Sequence, residues 1–357
     1  MIVLLILLIL ILICAAVIGA RYAVRFILAK RTEGNCMQVY RECSVMLKDK
    51  EQIILIEGRN DTLPVMIMYH GGPLTPIIYG ESYRGMYPDL GQNYILVWWD
   101  QYGCGKNHTA ESLDDMTASD WADMAADLVE CIHKMYPKNE IYLNGYSFGS
   151  YLAMYAADKH KDIVAGVINL SPVMNISEVP DNIYYACEKK MTNEEKSDLE
   201  KARRGEFYPY LEKSVALAEK YTDFIDNHKD GKIVSNPMKL KWYVRPFISP
   251  DYDYTDIIEL VKAIKNRGKT NIKNLNTLGD VDVTDIAESL DLPILYIQGE
   301  HELHVLPERL EELAARRSNV KYVKIENCGH IPTAEGWEKI LKAMVDFGWE
   351  KRRNHMQ

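Results

Sequence analysis

A serine between glycines is the strongest chemical signal in this 357-residue sequence. The motif GYSFGS at residues 145–150 follows the apolar stretch Ile141–Asn144 and precedes an apolar helical segment. On such a sharp strand-to-helix turn a serine hydroxyl is exposed, and flanking glycines tolerate the crowded backbone. The pattern predicts that Ser147 is a nucleophile. The alternative is a tight turn with a capping serine.

A serine hydroxyl is a weak nucleophile and needs a base that an acid orients. His330, in the sequence CGH just past the strand-like stretch Val320–Ile325, is the candidate base. The acid is expected in the loop after another strand-like stretch, Pro293–Gln298. Glu302 is the first choice in that loop and Glu300 is the alternative. The order serine, acid, histidine is one that such triads use.

Acyl transfer also needs N–H donors for the oxyanion of the tetrahedral intermediate. The motif HGGP at residues 70–73 follows the strand-like stretch Pro64–Tyr69. The backbone N–H groups of Gly72 and Phe148 are therefore the expected donors. The alternative for HGGP is a simple turn.

The segments around these residues alternate between strand-like and helix-like patterns, which points to an α/β sheet. Further strands are predicted at Gln52–Glu57, Tyr94–Trp99 and Ile163–Leu170. Apolar residues between Trp121 and Ile132 recur with a period of 3.6, which predicts a helix with one buried face. Other helices are predicted at Tyr151–Ala157, Pro307–Arg316 and Trp337–Phe347.

The stretch 173–290 breaks this alternation. It is charged, rich in tyrosine and helical in character, with no clear buried strand. Connections within α/β units usually have about 2–6 residues on each side of a helix, so we interpret the stretch as an inserted helical lid. The predicted organisation is an N-terminal segment (1–31), a core in two parts (36–172 and 291–357) and the lid between them.

The N-terminal stretch Ile2–Ala20 carries no charge. As a helix it would span roughly 28 Å, about the thickness of the hydrocarbon core of a bilayer. A signal peptide normally has basic residues before its apolar run, which are missing here, so we expect an uncleaved transmembrane anchor. Arg21, Arg25, Lys30 and Arg31 follow the span and predict a cytoplasmic catalytic domain. Alternatively, these residues only continue the helix as a solvated face.

The amino-acid composition argues against several classes of partner and cofactor. The chain has 42 Lys+Arg against 51 Asp+Glu and a net charge of −9, which argues against nucleic acid. Its seven cysteines are scattered without a CxxC pair, which favours reduced thiols over a disulfide framework or a zinc site. His301 and His304 lack a matching carboxylate motif and are weak candidates for metal ligands. We expect no cofactor, and the sequence does not predict an oligomeric state.

Five motifs in this order resemble those of one family. They are HGGP at 70–73, WWDQYGCGKN at 98–107, GYSFGS at 145–150, GEHE followed by proline at 299–307, and CGH at 328–330. The sequence resembles the prolyl aminopeptidase (proline iminopeptidase) branch of the α/β hydrolases over roughly Val65–Trp349. The resemblance implies a mostly parallel, doubly wound sheet with an inserted lid, and cleavage of short peptides through an acyl-enzyme.

Four positions depart from the family pattern. Leu74 replaces a glycine, Tyr102 an arginine, Asn107 a serine and Glu302 the usual aspartate. These changes leave the hydrolase chemistry intact and bear on the peptide specificity.

The resemblance also suggests residues that contact the substrate. In the family, acidic lid residues bind the free amine of the substrate, and Glu206 is the candidate here. Trp99 and Tyr102 are expected to line the cleft. Two other functions stay open: an esterase or lipase acting on lipid-derived or small ester substrates, and a catalytically silent binding protein tethered to the membrane.

Overall fold

The structure, a computed structural model, describes most of the chain. The described residues are 2–34, 38–73, 84–113, 115–204, 244–266 and 277–355, together with 213–214, 217, 220–221, 228–229 and 232–233. Glu206 and Leu74 lie outside them. The strand and helix alternation predicted from the sequence is present, with helices on both faces of one large sheet.

Eight of the strands form one mostly parallel sheet in the order β1-β2-β4-β3-β5-β6-β9-β10. The strands are β1 (Val39–Leu47), β2 (Lys50–Gly58), β3 (Val65–Tyr69), β4 (Ile95–Trp99), β5 (Ile141–Tyr146), β6 (Val164–Leu170), β7 (His228–Lys229), β8 (Lys232–Ile233), β9 (Ile294–Gly299) and β10 (Val320–Ile325). Strands β1 and β2 are antiparallel to their neighbours, and the pairs from β4 to β10 are parallel. Among the described residues, β7 and β8 form a separate two-stranded sheet.

The central strands are almost continuously apolar, as expected for parallel strands that helices cover on both faces. Every residue of β3, β4, β5 and β9 is buried. Strand β1 is absent from the sequence prediction because it lies at the sheet edge, where buried residues such as Val45 and Leu47 mix with exposed ones.

The helices form layers on the two faces of the sheet. Their bounds are α1 (Ile2–Gly34), α2 (Pro88–Asn93), α3 (Ala118–Met135), α4 (Phe148–Lys159), α5 (Val179–Cys187), α6 (Asn193–Arg203), α7 (Tyr254–Asn266), α8 (Thr284–Ser289), α9 (Pro307–Arg316) and α10 (Ala334–His355). Apolar side chains of α3, α4, α8 and α9 belong to the core on one face, and those of α2 and α10 to the core on the other. The predicted 3.6-residue period places Leu128 and Val129 of α3 in the core, where each contributes about 1.5–3 kcal/mol by burial.

The insertion between β6 and β9 contains α5, α6 and α7, in agreement with the predicted helical character, and also the hairpin β7–β8. Its two ends are joined by backbone hydrogen bonds. The Ile176 N–H donates to Val281 O at 3.1 Å, and the Val283 N–H donates to Met174 O at 2.8 Å. Helix α8 follows this junction and packs on the core through Ala287. The predicted lid boundary at residue 290 therefore includes a helix that belongs to the core.

Helix α1 is long, and the side chains of its first part are exposed. It is the one helix among the described residues that is long and apolar enough to cross a membrane, with a mean hydropathy of 3.5 in its most apolar window and none of that window buried. It continues without a break to Gly34, beyond the predicted end of the N-terminal segment at residue 31.

The basic residues at the start of the second part of α1 contact the insertion. Arg21 Nε donates to Phe247 O at 2.8 Å, and its Nη2 donates to Tyr252 O at 3.0 Å. Arg25 Nη2 donates to Pro250 O at 2.8 Å. The expectation that this part of α1 is only a solvated face is therefore wrong for these two arginines. We call residues 247–252 the α1-binding segment.

The α1-binding segment also contacts the core. The Asp251 carboxylate accepts hydrogen bonds from the Arg84 N–H at 2.8 Å and from Arg84 Nε at 3.0 Å, and this ion pair is buried. The Tyr252 hydroxyl donates to Asp100 Oδ2 at 2.5 Å. One short segment of the insertion thus joins α1 to the core.

Candidate active site

Ser147 lies on a turn that only small neighbours permit. It follows β5, precedes α4 and has φ 51° and ψ −121°. A Cβ atom on Gly145 would lie 2.4 Å from Gly149 O, and one on Gly149 would lie 2.0 Å from Tyr69 O. The two glycines of the motif are therefore required by close backbone packing, and the turn holds the Ser147 hydroxyl at the carboxyl end of β5.

The structure brings Ser147, His330 and Glu302 together in one hydrogen-bonded chain. His330 Nε2 lies 3.1 Å from Ser147 Oγ, and His330 Nδ1 lies 2.7 Å from Glu302 Oε2. Ser147 follows β5, Glu302 follows β9 and His330 follows β10. Because these strands are parallel, all three residues lie at the same edge of the sheet. The Tyr146 hydroxyl donates to the carbonyl of His330 and fixes its backbone.

Glu302 is buried, with 1% of its surface exposed. Burial opposes the charge, but the neighbouring His330 and His304 and their hydrogen bonds hold the pKa of its carboxyl well below its usual range. The backbone N–H groups of Leu303 and His304 donate to Oε1 at 2.9 and 3.0 Å. The alternative acid, Glu300, accepts a hydrogen bond from the Asn327 N–H at 3.1 Å. The geometry therefore pairs Glu302, and not Glu300, with His330.

His304 is part of this cluster, a position that the sequence analysis does not assign to it. Its Nδ1 lies 2.8 Å from Glu302 Oε1, and its ring lies 4.1 Å from the His330 ring at 31°. Its nearness to Glu302 in the sequence is the signal available, because the loop turns so that the Leu303 and His304 N–H groups face the Glu302 carboxylate. His301, by contrast, lies beside Glu300, with 3.9 Å between Nε2 and Oε2.

Three ligand-type side chains, Glu302, His304 and His330, lie close enough together for a metal ion. One ligand atom of each lies within 4.8 Å of the others. The Nδ1 atoms of the two imidazoles each face a separate oxygen of Glu302. The contacts are those of a hydrogen-bonded network in which one carboxylate orients two histidines.

The expected oxyanion donors belong to two loops that follow neighbouring strands, β3 and β5. Phe148 is the first residue of α4, where backbone N–H groups have no partner within the helix. Gly72 follows β3, and Tyr69 at the end of that strand pairs in register with Gly145. Both N–H groups thus belong to the edge of the sheet that holds the Ser147 hydroxyl.

The HGGP loop is held by the loop after β4. The Gln101 N–H donates to His70 Nε2 at 2.9 Å, and Gln101 Nε2 donates to His70 O at 2.9 Å. His70 Nδ1 lies 2.6 Å from Gly71 O, and burial lowers the pKa of the His70 imidazole to about 4, so the ring is neutral at pH 7. These bonds join the HGGP and WDQ motifs in the structure.

Asp100 and Asn107 tie down the loop after β4. The Lys106 N–H and the Tyr252 hydroxyl donate to Asp100 Oδ2 at 2.8 and 2.5 Å. Asn107 Nδ2 donates to Asp100 O at 2.6 Å. Asn107, which replaces a serine of the family pattern, thus has a structural role.

Two residues expected to line the cleft have other positions. Trp99 is 2% exposed, and its Nε1 donates to Gln52 Oε1 at 2.8 Å, so it is a core residue and the prediction that it contacts substrate is wrong. The Tyr102 hydroxyl donates to Glu111 Oε2 at 2.9 Å, and Lys50 lies over its ring. The Tyr102 hydroxyl is therefore bonded to Glu111, and the Tyr102 ring faces Lys50 of β2. Glu206 lies outside the described residues.

The sequence matches the family model described as alpha/beta hydrolase fold over residues 64–336. It is 21% identical over 313 residues to a probable aminopeptidase of Bacillus subtilis, covering 85% of this chain and 94% of that protein. It is 23% identical over 299 residues to a proline iminopeptidase of Saccharolobus solfataricus, covering 82% and 86%. These matches confirm the resemblance that the motifs indicate.

A solved structure also resembles this one along nearly its whole length. It is described as a membrane phospholipase A, a novel bacterial virulence factor. It superposes with a TM-score of 0.57 at 18% identity and covers 98% of both chains. At this identity the likeness shows the fold alone, and it agrees with the fold class predicted from the sequence.

Proposed function

Since this chain belongs to the alpha/beta hydrolase fold family, we propose that it is a serine hydrolase with Ser147 as nucleophile, His330 as base and Glu302 as acid. The observation that carries the proposal is the hydrogen-bonded chain from Ser147 Oγ through both nitrogens of His330 to Glu302. Such a chain is the arrangement that activates a serine hydroxyl for acyl transfer.

The geometry supports a two-step reaction. Ser147 Oγ attacks the substrate carbonyl while its proton moves to His330 Nε2, and the Glu302 carboxylate stabilises the imidazolium that forms. The N–H groups of Gly72 and Phe148 bind the oxyanion. His330 then donates its proton to the leaving group, and a water molecule that His330 deprotonates releases the acyl group from Ser147.

For the substrate, we propose short peptides with a free amino terminus. The HGGP and WDQ motifs and the aminopeptidase names of two relatives support this class. Glu206 remains the candidate for binding the ammonium group. An esterase or lipase is the second candidate, because the apolar α1 contacts the insertion directly and would hold it beside lipids.

We also propose that α1 anchors the enzyme in a membrane with the catalytic domain in the cytoplasm. Its length and apolar character and the arginines that follow the span support this orientation. Extraction at high salt and alkaline pH tests the anchor, and protease protection in sealed cells tests the orientation. A chain that washes off, or one cleaved near Ala20, contradicts the anchor.

Fluorophosphonate labelling tests the nucleophile. We expect labelling of the full-length protein and none of the Ser147→Ala variant, with unchanged thermal unfolding because only one hydroxyl is removed. The Ser150→Ala variant is the matched control within the same motif. Its hydroxyl donates to Ser147 O at 2.5 Å, so this change tests a neighbouring hydroxyl that does not face His330. Labelling that survives in Ser147→Ala would place the nucleophile elsewhere.

A paired substrate panel tests the specificity. We expect prolyl and alanyl naphthylamides to be cleaved at least about tenfold faster in kcat/KM than their N-acetyl forms, because acetylation removes the ammonium charge. Esters of p-nitrophenol with graded acyl chains provide the comparison. If the acetylated amides react equally well, or only the esters react, the esterase function replaces the aminopeptidase function.

A further inference from the structure

Outside the first part of α1, the exposed large apolar side chains of the described residues are concentrated in two adjoining segments. Beyond Ile18, eleven such side chains are exposed, and nine of them lie in the ranges 22–27 and 244–261. They are Tyr22, Val24, Phe26, Ile27, Val244, Phe247, Tyr254, Ile258 and Val261. Single exposed apolar residues are normal on a soluble protein, whereas a continuous group marks an interaction surface.

Helix α7 supplies an ordered part of this surface. Tyr254, Ile258 and Val261 are 40%, 53% and 45% exposed, and their spacing of four and three residues puts them on one face of the helix. The adjacent side of the helix carries Ile257 and Leu260, which are buried. The helix therefore has two apolar faces, one packed against the protein and one open to its surroundings.

The open face of α7 adjoins α1 at the end of the proposed span. The rings of Tyr22 and Tyr254 lie 6.2 Å apart, and the Arg21 guanidinium lies 4.3 Å above the Tyr254 ring. Residues 21–27 of a helix advance roughly 10 Å, which is comparable to the thickness of the headgroup layer. A chain whose span ends near Ala20 thus has Tyr254 at the depth of the headgroups.

We propose that the apolar face of α7, formed by Tyr254, Ile258 and Val261, rests in the headgroup region of a phospholipid bilayer. The inference rests on the proposed anchor and adds a second membrane contact that the anchor alone does not require. Tyrosine is enriched at this depth, and an apolar helical face with a cationic neighbour is suited to an interface. Lys262 is that neighbour, and it also pairs with Glu259 at 2.6 Å.

Quenching by brominated lipids tests this contact in the full-length protein. The protein is reconstituted in vesicles of phosphatidylcholine and phosphatidylglycerol, with the phosphatidylcholine either unmodified or brominated in the upper acyl chain. The Ile258→Trp variant reports on α7, and the Met46→Trp variant is the matched control, since Met46 is 57% exposed on β1 and lies outside the two apolar segments. The emission of the parent protein is subtracted from both. The Ile9→Trp variant reports on the span itself.

We expect the added tryptophan of Ile258→Trp to emit at shorter wavelength and to be quenched at least about twofold more than that of Met46→Trp. Equal quenching in these two variants overturns the α7 contact. If Ile9→Trp is quenched in that case, the anchor stands alone. If it is not quenched either, both the anchor and the contact fail. A blue shift that grows with protein density, without bromine quenching, would assign the face to a second copy of the chain and also overturn the proposal.

Discussion

Two buried glutamates differ in the direction in which their surroundings shift the pKa of the carboxyl. Glu302 lies at the sheet edge that holds the proposed triad, and Glu57 lies near the α1-binding segment. Both are 1% exposed or less. The two histidines beside Glu302 hold the pKa of its carboxyl well below its usual range, despite burial. Burial raises the pKa of Glu57 to about 7, although the Gly85 N–H and Trp98 Nε1 donate to it at 2.6 and 3.1 Å.

The difference lies in what faces each carboxylate. Glu302 has imidazoles at both of its oxygens, which stabilise the ionised form that a triad acid needs. Glu57 has neutral donors, and the nearby Asp251 carboxylate opposes its charge more than Arg84 favours it. The surroundings of Glu302 at the edge of the proposed triad therefore favour a buried charge, whereas those of Glu57 at the contact between the core and the insertion oppose one.

The largest effect is expected at Glu302. The Glu302→Ala change should lower kcat by about 1,000-fold with little change in KM, because the carboxylate stabilises the imidazolium only after the proton has moved. The Glu302→Asp change should keep part of the activity, limited by its shorter reach to His330. Steady-state kinetics on whichever substrate the panel identifies provide the measurement.

The Glu300→Ala variant is the matched control for that experiment. Glu300 accepts a hydrogen bond from the Asn327 backbone and has no contact with His330 among the described interactions. We expect kcat to change less than about threefold. A larger loss in Glu300→Ala than in Glu302→Ala would move the acid to residue 300.

The second prediction concerns the pH dependence of stability at Glu57. A folded-state pKa near 7 against an ordinary value of 4.5 means that the folded state binds more protons between these values. The contribution of Glu57 to stability is thus full below about pH 4.5 and is lost as the pH rises to about 7, a change of about 3 kcal/mol. Burial also raises the pKa of Asp100 to about 6, so the contribution of Asp100 to stability is likewise lost as the pH rises.

The Glu57→Gln variant tests this sign directly. We expect its free energy of unfolding, measured by urea titration in detergent, to fall less between about pH 5 and pH 8 than that of the parent, by about 2–3 kcal/mol. The Glu51→Gln variant is the control, because Glu51 is an exposed glutamate on the same strand. Parallel pH curves for Glu57→Gln and the parent would contradict the raised pKa.

The two regions also differ in what the sequence can predict. Ser147, His330 and Glu302 each follow a buried strand by a few residues, and parallel strands bring such positions to one edge of the sheet. The local pattern around each residue was therefore sufficient to predict that the three side chains lie together. The bounds of the predicted strands agree with the structure within two residues for the same reason.

The α1-binding segment has no comparable pattern. Arg21 and Tyr252 are 231 positions apart, and the acceptors of Arg21 and Arg25 are backbone carbonyls, which every residue possesses. Trp99 was assigned to the cleft because the same strand residue can face a core or a substrate, and only packing decides which. Long-range contacts to main-chain atoms leave no signature in residue type or spacing.

The third prediction tests those contacts. The Arg21→Ala/Arg25→Ala double variant loses three hydrogen bonds to the α1-binding segment. We expect amide hydrogen exchange in residues 247–252 to become about tenfold faster. Without these bonds, local opening of the segment costs less free energy. The Arg31→Ala variant, in which an exposed arginine of the same helix is removed, is the control.

Truncation gives a second measure of the same contact. Removal of residues 1–20 keeps both arginines, whereas removal of residues 1–31 deletes them. We expect the shorter truncation to retain parental exchange in residues 247–252 and the longer one to reproduce the double variant. If exchange is unchanged in the double variant and in the longer truncation, the segment is held by Asp251 and Tyr252 through the core alone.

The smallest expected effect concerns His304, which shares Glu302 with His330. The His304→Asn change keeps an N–H donor near the position of Nδ1, and we expect kcat within about threefold of the parent. The His304→Phe change keeps a ring against His330 but removes the donor to Glu302 Oε1. We expect kcat to fall about tenfold, because two backbone N–H groups then hold that oxygen without the imidazole.

The kinetic constants separate orientation by His304 from simple packing. His304 faces both Glu302 and the His330 ring, and the centres of the two rings lie 4.1 Å apart. If the His304 imidazole acts by holding Glu302 in place for His330, its loss falls on the transition state. The decrease in His304→Phe should then appear in kcat, with KM close to that of the parent. A parental kcat in His304→Phe would show that the carboxylate orients His330 without a hydrogen bond from His304.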